Sequence, residues 1–412
     1  MISATVLRPS TPLQIAGAGS ARQLSQGFQA MRAVMVVDPA MADRAESLRS
    51  GGFLWVETAA SPAAAVEAAS GLARRLKQSV VERILSVGGG NTMDFAKLAV
   101  SMAADPLVEQ VLERSDGRTG VVVLPRPLGS HIDFCAIPTT FGTGSEVNAA
   151  ACYESAGGAG DATGLVPTKN LVLLDGMATS AVAYDPDFLD APPWLTAEGL
   201  LEPAVRLLTS LVEGNSDLDY SEAQGRWLLA AAGKNLAAGR ESSFRLSGPE
   251  RVDAALLSAE SHAGWSLRGR GPAPSSLWFL ANELSMALGL RKNQASALLL
   301  GPWLDAVTAG RAVWGSRRKL EELWPLVSAD VAGVGAAALL GPDYSRPPWI
   351  QFPGSGGASP AELPDLLAKN TLRRFGRGRP MKRALGHEEL SEMFAAAIRA
   401  GLRESGIDPH GS

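Results

Sequence analysis

Short apolar runs and helically spaced apolar positions alternate along the first 190 residues. Ala33–Val37 reads as a buried strand ending at Asp38. Ser61–Leu76 is alanine-rich with helical spacing. Arg83–Val87 reads as a second strand, running into three glycines. Val121–Leu124, Phe134–Ile137, Leu171–Leu174 and Ala181–Tyr184 complete the set of strands. Apolar strands alternating with helices predict a parallel sheet covered on both faces.

Past Asp190 the pattern changes. Ser221–Ala238, Val252–Leu267, Leu277–Leu288 and Ala295–Ala309 are rich in Ala and Leu with helical period, and proline-rich breaks separate them. A boundary is expected at 188–192, in DPDFLDAPP, giving an α/β domain over 1–189 and a helical domain over 190–412. Gly341–Pro364 reads as a surface loop and Glu388–Ala400 as an amphipathic closing helix. No internal repeat is evident.

Composition narrows the class. With 412 residues, 46% hydrophobic and 19% charged, the chain is long enough for two sizeable cores and too apolar for disorder. A formal charge of −4 disfavours a nucleic-acid partner, which needs surplus Lys and Arg. The two cysteines, Cys135 and Cys152, exclude a disulfide framework and a cysteine-built zinc site. No apolar run approaches the roughly 18 residues of a membrane span, and the N-terminus lacks the order of a secretory signal. A soluble, reduced, cytoplasmic protein is expected.

Two loops carry candidate chemistry. The first, Val87 to Lys97 (VGGGNTMDFAK), follows a strand and opens a helix. Glycines let a backbone approach a ligand closely, and a helix N-terminus offers free N–H groups to a phosphate. Asp94 and Lys97, three residues apart, read locally as a surface ion pair. The second loop, Ile137 to Val147 (IPTTFGTGSEV), alternates hydroxyls and glycines, which suits ribose and phosphate recognition.

In this order, about fifty residues apart, GGGNTMDFAK and IPTTFGTGSEV resemble the iron-containing (group III) alcohol dehydrogenase family. Further matches are Lys169 ahead of Asp185-Pro186, Gly199 as the glycine opening the first helix of the C-terminal domain, Leu288-Gly289, Pro302, and Arg379-Pro380 with HEELSEMF. The resemblance implies a Rossmann-like dinucleotide-binding α/β domain and an all-α C-terminal domain, the fold shared with dehydroquinate synthase, with the active site in the cleft between them. It implies that Gly88, Gly89, Gly90, Asn91 and Asp94 serve the pyrophosphate loop. Thr139, Thr140, Thr143 and Ser145 would line the ribose and nicotinamide. Asp38 would face the adenosine ribose, where a carboxylate favours NAD over NADP; locally it also reads as a strand-end turn residue beside Pro39. A homodimer is expected.

The family's metal ligands, one Asp and three His, do not carry over. Leu201 and Val205 stand where GxDxxxH would place the Asp and first His. Asn282 stands at the next His, Met286 at the neighbouring non-ligand His, and Asn293 near the last. The four histidines are His131, His262, His387 and His410, none at a matched position. Leu and Val cannot coordinate a cation, so no metal is expected. Glu202 serves as a displaced ligand only if its helix slips by one residue, and otherwise pairs with Arg206. Without a metal a base must take the hydroxyl proton. His262, Lys169 and Glu202 are the catalytic candidates, with Glu283 a further guess, and Arg268 and Arg270 in LRGRGPAPSS candidates for a substrate carboxylate.

Several readings remain for the substrate. One is a metal-free small-molecule reductase resembling maleylacetate reductase. Another is a natural-product dehydrogenase, suited by the tryptophan-rich helical part. Its specific form resembles the daptide-type ribosomal peptide dehydrogenase, which oxidises a C-terminal threonine to a β-keto acid that loses carbon dioxide. The basic stretch Lys369, Arg373, Arg374, Arg377, Arg379, Lys382 and Arg383 offers a landing face for an anionic peptide. A sugar-phosphate cyclase of the dehydroquinate-synthase type lacks its lysine-rich site here. A non-catalytic partner subunit retaining the fold is the reading from a different class.

Overall fold

The computed structural model describes residues 13–28, 31–49, 52–116, 118–124, 128–155, 168–270, 275–328, 361–376 and 385–404. Among the described residues the N-terminal part holds nine strands: β1 Leu13–Ala16, β2 Ala33–Val37, β3 Trp55–Thr58, β4 Arg83–Gly88, β5 Val121–Val123, β6 Asp133–Pro138, β7 Ala150–Ser155, β8 Thr168–Leu173 and β9 Thr179–Tyr184. Between them run α1 Ser20–Gln26, α2 Ala42–Glu46, α3 Ala65–Gln78, α4 Gly90–Ala104 and α5 Leu107–Ser115.

Six strands form one parallel sheet in the order β1-β9-β6-β4-β2-β3. Its central strands are buried on both faces. Val34 and Val36 join the large core with α3 and α4, while Met35 and Val37 point into a second core with α1 and Phe28. Strand side chains alternate in direction, so a run such as AVMVV serves both layers.

The strands do not all lie in the one sheet that the apolar pattern predicted. Val121–Leu124 and Leu171–Leu174 do not join the parallel sheet. β5, β8 and β7 make a separate three-stranded sheet, with β7 antiparallel to β8. Three strands escaped the pattern. β1 and β3 are short edge strands with half-exposed residues, and β7 alternates in burial.

The C-terminal part is helical: α6 Pro193–Glu213, α7 Asp219–Glu241, α8 Gly248–Ala263, α9 Leu277–Leu288, α10 Lys292–Thr308, α11 Arg317–Leu323, α12 Leu363–Phe375 and α13 His387–Glu404. α9 has the bounds expected from its period and ends on Gly289 in the left-handed region (φ 62°), the backbone a helix stop favours. Gly199 does not open α6 but lies inside it. There it lets the backbone of Gly142 approach, since a β-carbon on Gly142 would sit 3.1 Å from the Gly199 Cα. Residues 341–360 of the expected loop lie outside the described residues, and Leu363 and Pro364 instead start α12 as buried side chains. Among the described residues no helix is long and apolar enough to cross a membrane.

Candidate active site

The two loops leave the sheet side by side. Gly88, the last residue of β4, is in register with Pro138, the last of β6, and the Thr139 N–H donates to the Gly88 carbonyl at 3.0 Å. β2 lies on the other side of β4, and the chain runs outward from β2 to β3 before returning to β4. Asp38 and Gly88 therefore flank the point where strand order reverses, the place where open α/β sheets bind ligands.

Gly89 precedes α4 with no side chain capping the helix, and no acidic residue stands in its first turn. Gly89 and Gly90 are half-exposed and Asn91 is exposed. Thr140 and Thr143 crown the loop: a β-carbon on Gly89 would come within 3.1 Å of Thr140 Oγ1, and one on Gly90 within 2.9 Å of Thr143. A β-carbon on Gly88 would sit 2.5 Å from Thr92 Oγ1 and 2.9 Å from the Asp38 Cβ. The cradle thus requires glycine and leaves free N–H groups aimed outward, which fits a pyrophosphate.

Asp38 is half-buried. One carboxylate oxygen accepts from the Ala40 N–H at 2.9 Å and caps the turn Pro39–Met41; the other accepts from Thr92 Oγ1 at 3.3 Å. The local reading of a turn residue is realised beside the glycine cradle.

Asp94 and Ser145 differ from their expected placement. Ser145 Oγ donates to the Asp94 carboxylate, which also accepts the Cys152 N–H at 2.8 Å. Lys97 is not at the surface. Its ammonium is buried, 3.3 Å from Asp94, and donates to the Ser145 carbonyl at 3.0 Å, to Asn148 Oδ1 at 3.1 Å and to the Ala150 carbonyl. Burial pulls the Lys97 pKa down against the pull of Asp94. These groups lock the second loop onto α4, and their polar atoms are engaged within the protein. Glu146, beside them, is buried and its pKa rises to about 7 through desolvation.

Of the catalytic candidates, two come together. Glu202 forms an ion pair with Arg206, as the local spacing suggested, and lies 3.8 Å from His262 Nε2. Arg206 donates to the Gly142 carbonyl at 3.0 Å, and His262 Nε2 lies 2.9 Å from the same oxygen. Burial and Arg206 hold the imidazole pKa at about 4. Burial alone would raise Glu202, but Arg206 and His262 outweigh it and bring it to about 2. Both are therefore weak bases at neutral pH, and Arg206 and His262 fasten the second loop to the helical part through the Gly142 carbonyl. Lys169 lies apart from them, 3.7 Å from Glu154.

Three further candidates are committed elsewhere. Glu283 and Arg374 form a buried ion pair, and Arg374 also donates to Asn170 Oδ1 and the Lys169 carbonyl, each at 2.7 Å. Arg270 is buried and bonded to Glu222 at 2.6 Å and to the Ser266 carbonyl at 2.9 Å, so it is not free for a substrate carboxylate. The basic stretch is no uniform face: Lys369 pairs with Asp365 and Arg374 is internal. Arg377, Arg379, Lys382, Arg383 and Pro380 lie outside the described residues, as does His410.

The donors do not fit a divalent metal. Leu201 and Val205 are buried aliphatics on α6, and Asn293 donates to the Glu198 carbonyl at 3.3 Å. Among the described residues no group of three or more His, Cys, Asp or Glu could hold a metal ion. Lys292 stands next to Asn293 and near Glu202. It carried no local signal, being one lysine at a helix start.

The fold joins an α/β dinucleotide-type sheet to a helical part, with a glycine cradle at the reversal of strand order. Residues 12–172, which hold both loops, match the family described as iron-containing alcohol dehydrogenase, which bears out the resemblance over that stretch. The fold is shared with the NADH-dependent butanol dehydrogenase A of Thermotoga maritima (TM-score 0.72, 16% identity, 96% of this chain and 99% of that one). It is shared also with an alcohol dehydrogenase from Oenococcus oeni (TM-score 0.67, 18% identity, 94% and 98%). An iron-containing alcohol dehydrogenase from Thermococcus thioreducens gives a TM-score of 0.67 at 16% identity, covering 94% and 98%. No curated protein matches the chain.

Proposed function

We propose that the protein is an NAD-dependent oxidoreductase that moves a hydride between the nicotinamide and a hydroxyl-bearing carbon without a bound metal. The observation that carries this reading is the pairing of an uncapped glycine cradle at the strand-order reversal with aliphatic and amide side chains at the metal positions. The cradle and Thr140 and Thr143 hold the pyrophosphate and ribose, and Asp38 favours NAD over NADP. The cofactor supplies the hydride acceptor when bound. The residues of this chain position it, exclude water from the cleft and accept the proton.

The specific substrate we propose is the C-terminal threonine of a ribosomal precursor peptide. Its oxidation at the β-carbon yields a β-keto acid, which releases carbon dioxide with no metal needed. A small hydroxy acid, as in the reductases resembling maleylacetate reductase, is the alternative within the same chemistry.

The test is titration of metal-stripped protein with NADH, read by energy transfer from tryptophan. Saturable binding, followed by NADH formation with a threonine-terminated peptide, supports the reading. Absence of NADH and NADPH binding at millimolar concentration would replace it with the non-catalytic partner reading, and activity that returns only with zinc or iron would overturn metal independence.

A further inference from the structure

Lys292 is the first residue of α10, and its side chain turns inward. It is half-buried, and its Nζ stands 4.4 Å from the centroid of the Trp278 ring on α9. The charged and titratable groups that act on it are Glu202 and Arg206 of α6, Cys152 of β7 and Lys169 of β8. Most are already matched. Glu202 and Arg206 close on each other, and Lys169 lies beside Glu154. Among the described residues no carboxylate stands within ion-pair distance of Lys292. Burial outweighs the pull of Glu202 and holds its pKa at about 8, near the pH at which an amine can both take up and release a proton.

A second observation points to the same place. Asn282 lies one helical turn beyond Trp278, on the same side of α9. It is 1% exposed, and neither atom of its amide has a hydrogen-bond partner among the described residues. Proteins avoid such an arrangement unless a ligand or water completes it. Trp278 and Met286, a turn to either side, are only partly buried.

We propose that Lys292 is the proton acceptor in alcohol oxidation and that Asn282 donates a hydrogen bond to the substrate oxygen beside it. This rests on the dehydrogenase reading above. In oxidation the neutral amine takes the hydroxyl proton as the C–H electron pair leaves as hydride for C4 of NAD⁺. A carbonyl compound, NADH and a Lys292 ammonium result, and the ammonium returns its proton to solvent. In reduction the ammonium donates and the flow reverses.

Two measurements on the full chain test this. Competitive acetylation across pH, read by peptide mass spectrometry, should show Lys292 titrating near 8; titration above 10 overturns the proposal. With metal-stripped enzyme, NAD⁺ and butan-1-ol, propane-1,3-diol or N-acetylthreonine as probes, the oxidation rate should rise with pH and level off above that value. Lys292→Gln should lower kcat about a hundredfold or more while NADH affinity stays within twofold. Lys292→Arg, which keeps the charge but cannot act as a base, should be equally impaired. Retention of kcat within threefold in Lys292→Gln, with an unchanged pH profile, overturns the assignment. Asn282→Leu should raise the melting temperature while lowering turnover, a pair of shifts that a merely structural amide would not give. Failure of the wild type to bind NADH removes the dehydrogenase reading itself; NADH binding with an ordinary Lys292 removes only this inference.

Discussion

His262 Nε2 lies 2.9 Å from the carbonyl oxygen of Gly142, a contact that joins the helical part to the tip of the second loop. The imidazole also packs against Gly144, where a β-carbon would sit 2.1 Å from its ring. The histidine is bonded to the loop. His262→Gln should weaken NADH binding several-fold through a loosened loop. The folded pKa of about 4 is below the unfolded value, so stability is fully present above about 6.5 and is lost as pH falls toward 4. Thermal melts across this range should show a flatter acid limb in the variant, and an unchanged limb would contradict the placement.

Asp38 offers a cofactor test. Asp38→Ser removes the carboxylate beside the cradle and should narrow the gap between NADH and NADPH affinities by tenfold or so, about 1.4 kcal/mol. Serine retains a capping oxygen for the Ala40 N–H, so the melting temperature should move little. Titrations with both cofactors decide it.

Gly88 tests the cradle itself. A methyl group there would overlap Thr92 and approach the Asp38 Cβ at 2.9 Å. Gly88→Ala should therefore lower NADH affinity at least tenfold, measurable by tryptophan energy transfer, with far-ultraviolet circular dichroism unchanged.

The Glu283–Arg374 pair spans 91 residues and is buried on both sides. Arg374→Met leaves a buried carboxylate unpaired and should cost about 3–5 kcal/mol. Adding Glu283→Leu should recover much of that loss. Urea denaturation of the single and double variants measures both, and a double variant as unstable as the single would argue against the pairing.

Glu146 gives the opposite pH dependence from His262. Desolvation raises its folded pKa to about 7, above the unfolded value. The folded chain then holds the proton more tightly, and the stability this confers at low pH is lost as pH rises toward 7. Glu146→Gln should stabilise the protein by about 1–3 kcal/mol at pH 8 relative to wild type and by little at pH 4.5. Paired melts at the two pH values settle it.

The central strands and both loops were legible because their signals are local. A run such as AVMVV, or GGG between a strand and a helix, needs no distant partner to be read. The edge strands β1 and β3 were not, because half-exposed residues in four-residue segments leave no clear period. The antiparallel β7–β8 pairing was equally hidden, since strand direction depends on the path between the strands.

The amino-acid sequence by itself determined the division into strand-rich and helical parts, the glycine cradle and the aliphatic and amide side chains at Leu201, Val205, Asn282 and Asn293, all consequences of residue type and local spacing. Only the tertiary structure decided which polar groups face the cleft. Asp94 and Lys97 turned inward to hold a loop 48 or more residues away. Glu202 was quenched by Arg206, and among the described residues Lys292 has no carboxylate within ion-pair distance. The physical reason is that a charged side chain takes its character from its desolvation and its partners, and both are fixed by segments that meet only when the chain folds.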